Sequence, residues 1–123
     1  MKALVIDDSR AMRLILGGTL KQLGYEVLEA GNGQEALDRI RDHGKPDVAM
    51  VDWNMPVMSG MEFVKAVRAD ASLDSLPLVM VTTETEMDQV ASALEAGVNE
   101  YVMKPFTREA LKGKLGMLGL VGV

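Results

Sequence analysis

The sequence has no cysteine, a single histidine, and only one Trp, two Tyr and two Phe among its 123 residues. The lack of cysteine excludes disulfide bonds and thiolate catalysis, and it fits the reducing cytoplasm, where we expect the protein to act. Because His43 is the only histidine, a histidine-rich metal site is excluded, and a Ser-His-Asp triad would have to use that one residue.

Long apolar runs are also missing. No segment approaches the roughly 20 apolar residues that a membrane-spanning helix needs, and the apolar start at residues 3–6 is too short for a signal peptide. Acidic residues outnumber basic ones, 18 against 13, and the net charge of −5 does not suggest a nucleic-acid partner. We therefore predict no membrane and no nucleic-acid partner, and a single domain over residues 1–123.

Five short apolar runs, at residues 3–6, 25–29, 48–51, 78–81 and 101–103, alternate with five amphipathic segments that have helical periodicity. This alternation predicts an α/β fold, a doubly wound parallel sheet with helices on both faces and right-handed crossovers. The second strand should lie near an edge. The residues predicted to face the core from the helices are Met12, Ile15, Leu16, Leu20, Leu23, Ala36, Leu37, Ile40, Met61, Val64, Val67, Met87, Val90, Ala91, Leu94, Leu111, Leu115 and Leu118.

Polar side chains follow four of the five predicted strands. They are Asp7-Asp8, Asp52, Thr82-Thr83 and Lys104. Each has an ordinary structural explanation, such as a helix start, a turn or a solvated surface charge. Parallel strands, however, share one carboxyl edge, which is where open α/β sheets bind ligands. Their joint occurrence at that edge therefore favours a functional site.

The chemistry available at this edge follows from the residue types. Clustered carboxylates repel one another and raise one another's pKa, and a hard divalent cation relieves that repulsion. Oxygen ligands from Asp7 or Asp8, Asp52 and a loop carbonyl near Asn54 suit Mg²⁺. Asp52 is also a candidate nucleophile, because carboxylates form aspartyl-phosphates. Lys104 would supply positive charge and Thr82 a hydroxyl donor to the phosphoryl oxygens.

The chain resembles a response regulator receiver domain along essentially its whole length. The resemblance rests on Asp7-Asp8, on Asp52 with Met55-Pro56 and Gly60, on Thr82, and on Lys104-Pro105-Phe106. It is closest to the stand-alone CheY-type chemotaxis regulators, which share the Asp-Trp-Asn-Met-Pro stretch at residues 52–56. The resemblance implies a flavodoxin-like sheet in the order 2-1-3-4-5; CheY is itself a standard example of that order.

Specific roles follow from the resemblance. Asp52 would accept a phosphoryl group from a partner histidine kinase or histidine phosphotransfer protein, as part of a His-Asp phosphorelay. The implied ligands of Mg²⁺ are Asp7, Asp8, Asp52 and the backbone carbonyl of Asn54. Thr82 and Lys104 would bind the phosphoryl oxygens, Thr82 and Tyr101 would form the switch, and the Lys104-Pro105 bond would be cis.

The resemblance also implies how the signal leaves the domain. Output would pass to a downstream protein through the surface of helix four, strand five and helix five, and the protein would act as a monomer. It would catalyse only its own phosphorylation and dephosphorylation. Asn54 and Glu84 would tune how fast water attacks the aspartyl-phosphate, and this pair predicts a short-lived phosphorylated state.

Other functions remain open at this point. An aspartyl-phosphate phosphatase usually has an Asp-x-Asp pair, but Asn54 occupies the second position and cannot act as an acid. A flavin-binding domain of similar fold would need a Ser/Thr/Gly-rich loop after strand one, where Asp7-Asp8 would repel phosphate. The sequence is also compatible with a receiver domain cut from a longer regulator.

Several positions depart from the commonest receiver pattern. Ser59 stands where Asp or Asn is frequent, and we expect it only to cap a helix. Thr83 follows the switch Thr where a smaller residue is common, which would narrow either the path of the Tyr101 ring or the access to the phosphoryl group. Glycine recurs at every third position from Gly113 to Gly122. This spacing predicts a shortened, fraying last helix or, as the alternative, a smooth face for a partner.

Overall fold

The computed structural model describes residues 1–120, and it has an alternating order of strands and helices. The elements are β1 (Lys2–Ile6), α1 (Arg10–Gln22), β2 (Glu26–Ala30), α2 (Gly33–His43), β3 (Val48–Asp52), α3 (Gly60–Ala69), β4 (Leu78–Thr82), α4 (Val90–Ala96), β5 (Glu100–Met103) and α5 (Arg108–Met117). Two 3-10 segments, Ala71–Leu73 and Glu84–Gln89, precede β4 and α4 respectively. The predicted α/β class is therefore confirmed.

All neighbouring strands are parallel, and their order is β2-β1-β3-β4-β5. The order implied by the family resemblance is confirmed, and β2 lies at an edge as predicted. The register pairs Ile6 with Val51 and Asp52 with Val81, so the carboxyl ends of β1, β3 and β4 lie side by side. This placement brings the polar residues that follow these strands to one edge.

The pleat of the sheet divides the core into two layers. Along β1, Ala3 and Val5 point to one side while Leu4 and Ile6 point to the other. The first layer is covered by the apolar faces of α1 and α5, and the second by those of α2, α3 and α4. Buried strands in a parallel sheet are apolar on both faces, which explains the continuous runs in β3 and β4.

Helix starts follow the predicted capping residues. The Ser9 hydroxyl accepts the Met12 N–H at the start of α1, and the Thr107 hydroxyl accepts the Ala110 N–H at the start of α5. Ser59 forms a complete capping box with Glu62 at α3. Helix α2 starts at Gly33, where the Asn32 side chain caps it, and it ends at His43.

Most residues predicted to face inward do so, but Ile15, Ala91 and Leu94 do not. Ile15 is 57% exposed, because the buried face of α1 is formed by Leu16, Gly17 and Leu20. Ala91 is exposed and Leu94 is 44% exposed. The cause is the 3-10 segment that precedes α4. It has about three residues per turn instead of 3.6, so the α-helical spacing extended from Met87 does not hold there. In α4 the buried residues are Val90, as predicted, and Ala93.

The glycine-rich last helix is intact over its described length. Helix α5 passes through Gly113 and Gly116, and Gly119 follows it with a left-handed φ of 72°. The Tyr25 hydroxyl donates to the Leu120 carbonyl and ties down the segment after the helix. Gly122 lies outside the described residues, and the predicted fraying stays a prediction. Among residues 1–120, no helix combines the length and the apolar character needed to cross a bilayer.

Candidate functional site

Three carboxylates converge at the carboxyl edge of the sheet. Asp7 directly follows β1 and Asp52 is the last residue of β3, so their side chains lie next to each other. Asp7 is 2% exposed and Asp52 is 7% exposed, whereas Asp8 is open to solvent. One oxygen of each carboxylate lies within 4.8 Å of the others. The structure thus brings together the three acidic residues that the sequence singled out.

Lys104 completes this cluster from the other side. Its Nζ atom lies 3.3 Å from Oδ2 of Asp7 and 3.5 Å from Oδ1 of Asp52. The backbone N–H of Lys104 donates to the Thr82 carbonyl at 2.6 Å, which joins the end of β5 to the end of β4. The Lys104-Pro105 peptide bond is cis, as the resemblance implied. One ammonium group therefore faces two buried carboxylates.

The electrostatic environment changes the acidity of Asp52. The pKa of its carboxyl is raised from 3.8 to about 6. Burial is the main cause, the negative charge of Asp7 acts in the same direction, and the positive charge of Lys104 opposes both. Asp8 and Glu86 contribute further upward shifts. A carboxylate with a raised pKa is a better nucleophile than an ordinary aspartate, and at neutral pH it is still mostly ionised.

The loop after Asp52 packs closely against the start of α3. A Cβ atom at Gly60 would lie 2.7 Å from the Asp52 carbonyl oxygen and 2.7 Å from Cε3 of Trp53, so only glycine fits there. The tip of the loop is a γ-turn, in which the Met58 N–H donates to the Pro56 carbonyl at 2.7 Å. Val57 at its centre has a φ of 68° and is 80% exposed.

Thr82 ends β4 at the same edge and is fully buried. Its hydroxyl donates to the carbonyl oxygen of the next residue, Thr83, at 3.3 Å. Because a hydroxyl has one proton, Thr82 does not donate to an oxygen at Asp52 while this bond is made. Tyr101 lies in β5, half-buried, and the Nζ atom of Lys114 is 4.6 Å from the centroid of its ring.

Glu86 is a residue of the site that the sequence interpretation missed. Its Oε2 accepts a hydrogen bond from the Asn54 amide. Glu84, which the resemblance names with Asn54 as tuning hydrolysis, is exposed, and that role stays a prediction. The other oxygen of Glu86, Oε1, accepts from the Thr83 backbone N–H at 3.1 Å and from the Thr83 hydroxyl at 3.0 Å. The Thr-x-x-Glu spacing of a capping box was the signal that would have identified it.

Arg13 is a second residue missed from the sequence. Its guanidinium donates to the backbone carbonyl of Asp7 at 2.6 Å and pairs with Glu29 at 3.0 Å. The Asp7 carboxylate in turn accepts the Ser9 N–H at 2.9 Å. These contacts hold the end of β1 in place and orient the Asp7 side chain. Nothing in the local sequence pattern pointed to Arg13.

The donor set fits a hard divalent cation. Its atoms are all oxygens, and Mg²⁺ holds oxygen ligands at about 2.0–2.1 Å in an octahedron, so ligands on opposite sides are about 4.2 Å apart. The carboxylate oxygens of Asp7, Asp8 and Asp52 lie within 4.8 Å of one another, which needs little adjustment for one ion. Asp7 and Asp52 are nearly buried, so the positive charge of a bound cation would offset the cost of burying their negative charges.

Comparisons with known proteins agree with this geometry. Residues 3–116 match the model of the response regulator receiver domain. The chain is 49% identical to the chemotaxis protein CheY1 of Helicobacter pylori over 116 residues, which are 94% of each chain. It is 46% identical to the chemotaxis protein CheY of Pseudomonas aeruginosa, covering 94% of this chain and 93% of that one.

A solved structure gives the same result in three dimensions. Chemotaxis protein CheY4 of Vibrio cholerae superposes with a TM-score of 0.84 at 40% identity, covering 98% of each chain. Sequence, fold and edge chemistry thus converge, and the chain belongs to the response regulator receiver family as a phospho-accepting signalling switch of the CheY type.

Proposed function

We propose that Asp52 is the residue that accepts the phosphoryl group, and that the donor is a phosphohistidine on a partner histidine kinase or histidine phosphotransfer protein. The observation that carries this proposal is the position of Asp52 between an ammonium group and two further carboxylates. Lys104 Nζ lies 3.5 Å from Asp52 Oδ1, and the oxygens of Asp7 and Asp8 lie within 4.8 Å. A candidate nucleophile, an ammonium group and oxygens suited to a metal thus lie around one point, which supports the proposal.

In the proposed reaction, an oxygen of the Asp52 carboxylate forms a bond to phosphorus while the phosphorus–nitrogen bond of the phosphohistidine breaks. The nitrogen leaves with the bonding electron pair and takes up a proton. Lys104 exchanges its contact with Asp52 for one with the transferred phosphoryl oxygens, and the Thr82 hydroxyl turns toward them as a donor. Lys104 and Thr82 then stabilise the negative charge that the phosphoryl oxygens bring to Asp52.

Mg²⁺ is the proposed cofactor, and Asp7, Asp8, Asp52 and the Asn54 backbone carbonyl would hold it. When bound, it would neutralise negative charge on the phosphoryl oxygens. Asp7 is oriented for this role by the Ser9 N–H that it accepts, and Asp8 is accessible to solvent. The remaining positions around the ion would be taken by water, as is usual for magnesium in proteins.

The switch and the output surface complete the proposal. The Thr82 hydroxyl would move to the phosphoryl group, and the Tyr101 ring would turn inward into the space that this vacates. The downstream partner would read this change on the surface of α4, β5 and α5. On these elements Leu94 and Met103 are exposed apolar side chains and Tyr101 is half-buried. Because relatives are chemotaxis proteins, we propose chemotaxis as the pathway.

The remaining features of the proposal concern the chain as a whole. Residues 1–123 would form one receiver domain that works as a monomer in the cytoplasm. It would act on no substrate other than itself, catalysing only its own phosphorylation and dephosphorylation. The amide at Asn54 supports this view, since it lacks the acidic proton that a phosphatase of the Asp-x-Asp type would need.

The test is phosphorylation with acetyl phosphate and Mg²⁺, followed by intact-protein mass spectrometry. Wild type should gain one phosphoryl group per chain, and Asp52→Asn should gain none, because an amide is not a nucleophile. The control is Asp74→Asn, which removes an exposed carboxylate that is distant from Asp52 in the sequence, and it should be labelled like wild type. Full labelling of Asp52→Asn would refute the assignment.

A further inference from the structure

Glu86 connects two loops that border the phosphoryl-acceptor site. Its Oε2 accepts from the Asn54 amide in the loop after β3, and its Oε1 accepts twice from Thr83 in the loop after β4. The carboxylate is nearly buried, and its hydrogen-bond capacity is used at both oxygens. A buried carboxylate satisfied in this way holds its partners firmly, because leaving any of them unpaired would be costly.

The contacts of Glu86 determine where the Thr83 carbonyl lies. The Glu86 backbone N–H donates to that carbonyl at 3.0 Å, while the Glu86 side chain holds the N–H and hydroxyl of the same residue. The Thr83 carbonyl is also the group that accepts the Thr82 hydroxyl. The Glu86 contacts thus present an acceptor that keeps the only proton of the Thr82 hydroxyl engaged.

We propose that Glu86 is a positioning residue that keeps the switch in its resting state, by bridging Asn54 and Thr83 so that the Thr82 hydroxyl stays on the Thr83 carbonyl until a phosphoryl group arrives. This inference rests on the proposed function of Asp52 and Thr82. Glu86 does not touch the reacting atoms. It biases an equilibrium between two positions of the Thr82 hydroxyl, one bonded to backbone and one directed at the phosphoryl group.

Breaking the Glu86 bridge between Asn54 and Thr83 should therefore increase the population of the state in which the Thr82 hydroxyl can reach a phosphoryl group. A ligand that binds only one of two states has an apparent affinity proportional to the population of that state. The suitable probe is beryllofluoride, a phosphoryl mimic that binds an acceptor aspartate in the presence of Mg²⁺. Glu86→Gln replaces one acceptor oxygen by an NH₂ group, and Glu86→Asp is one methylene too short to reach both loops.

The experiment measures the beryllofluoride affinity at saturating Mg²⁺ through Trp53 fluorescence, with the full chain of each variant. Glu86→Gln and Glu86→Asp should both bind beryllofluoride about five- to tenfold more tightly than wild type, in the usual range of coupling between sites. Asp88→Asn, which removes an exposed carboxylate from the same 3-10 segment, should stay within about twofold of wild type. Mg²⁺ affinity without beryllofluoride should stay within about twofold in Glu86→Asp, because its charge is kept.

An independent readout is the Thr82 methyl resonance in NMR spectra. In the variants without beryllofluoride, it should move part of the way toward its position in the beryllofluoride-bound wild type. If Glu86 had only a structural role, its substitution would lower the stability of the protein without moving the Thr82 methyl resonance toward the bound position.

Three results would overturn the inference. One is unchanged or weaker beryllofluoride binding in both Glu86 variants while wild type binds normally. Another is tighter binding in Glu86→Gln alone, which would mean that charge and not the bridge matters. The third is a Thr82 methyl resonance that stays at its wild-type resting position. Failure of wild type itself to bind beryllofluoride would instead refute the proposed role of Asp52, and the inference with it.

Discussion

The Nζ atom of Lys104 lies 3.5 Å from Oδ1 of Asp52, and it is the positive group that opposes the rise of the Asp52 pKa. Asp52 ends β3 and Lys104 directly follows β5, and these two strands are not neighbours, since β4 lies between them. The long lysine side chain spans that gap and joins Asp52 to Asp7 through one ammonium group. Neutralising Lys104 should therefore affect both the acidity of Asp52 and its capacity to accept a phosphoryl group.

We predict that Lys104→Gln raises the Asp52 pKa further above about 6, because burial and the neighbouring carboxylates remain while the opposing charge is lost. The ¹³C shift of the Asp52 carboxyl carbon, followed over pH without Mg²⁺, measures this directly. Phosphorylation by acetyl phosphate at pH 7 should slow by about tenfold or more, as expected for loss of a charged contact in the transition state. Lys112→Gln, exposed on α5, is the control. An unchanged Asp52 pKa in Lys104→Gln would contradict the electrostatic account.

Because the pKa of Asp52 is raised, the difference in stability between Asp52→Asn and wild type should depend on pH. The folded protein holds a proton on Asp52 up to about pH 6, whereas the unfolded chain loses it near 3.8, so ionising Asp52 destabilises the fold as pH rises through this window. Asp52→Asn removes that cost. At pH 7.5 without Mg²⁺, its free energy of unfolding should exceed that of wild type by about 1–2 kcal/mol, allowing for partial solvent screening.

The difference between Asp52→Asn and wild type should shrink toward zero as the pH falls from 7.5 to about 4, where Asp52 is protonated in the folded state. Urea unfolding at several pH values, in the presence of a chelator, measures it. Asp74→Asn provides the reference for an exposed aspartate. A difference that stays constant with pH would show that it comes from packing and not from ionisation.

Mg²⁺ binding should depend on Asp8, the most accessible of the three carboxylates. Asp8→Asn should weaken Mg²⁺ binding by about tenfold, since it removes a charged oxygen ligand. Binding should also weaken as pH falls, because protons compete for the ligand oxygens. Trp53 follows Asp52 directly and is buried, so its fluorescence should report the titration. The control is Asp42→Asn, at an exposed position in α2. Equal affinities in wild type and Asp8→Asn would remove Asp8 from the ligand set.

Val57 should be a source of strain that a substitution can relieve. A β-branched residue is disfavoured at positive φ, yet Val57 sits at 68° with 80% of its surface exposed, so little packing would be lost on its replacement. Val57→Asn should raise the free energy of unfolding by about 1 kcal/mol, because asparagine tolerates the left-handed region. Val57→Ile keeps the branched side chain and should leave stability nearly unchanged. Loss of stability in Val57→Asn, measured by urea unfolding, would contradict this interpretation.

The sequence by itself determined the strands, several helix caps and the edge at which the site forms. The apolar runs end at Asp7, Asp52, Thr82 and Lys104. Because parallel strands share one carboxyl edge, these polar residues come together at that edge once the strands are parallel. Caps such as Ser9 and Thr107 are local, since each bonds a backbone group three residues away. Local periodicity and topology were therefore enough for these features.

Only the tertiary structure decided which side chains meet across the loops. The contact between Glu86 and Asn54 depends on the 3-10 segment Glu84–Gln89, in which Glu86 is buried and Glu84 is exposed. The α-helical spacing extended through this segment also fails at Leu94, which is exposed in α4. A small change of residues per turn rotates every following side chain, and no apolar pattern in so short a segment distinguishes the two windings.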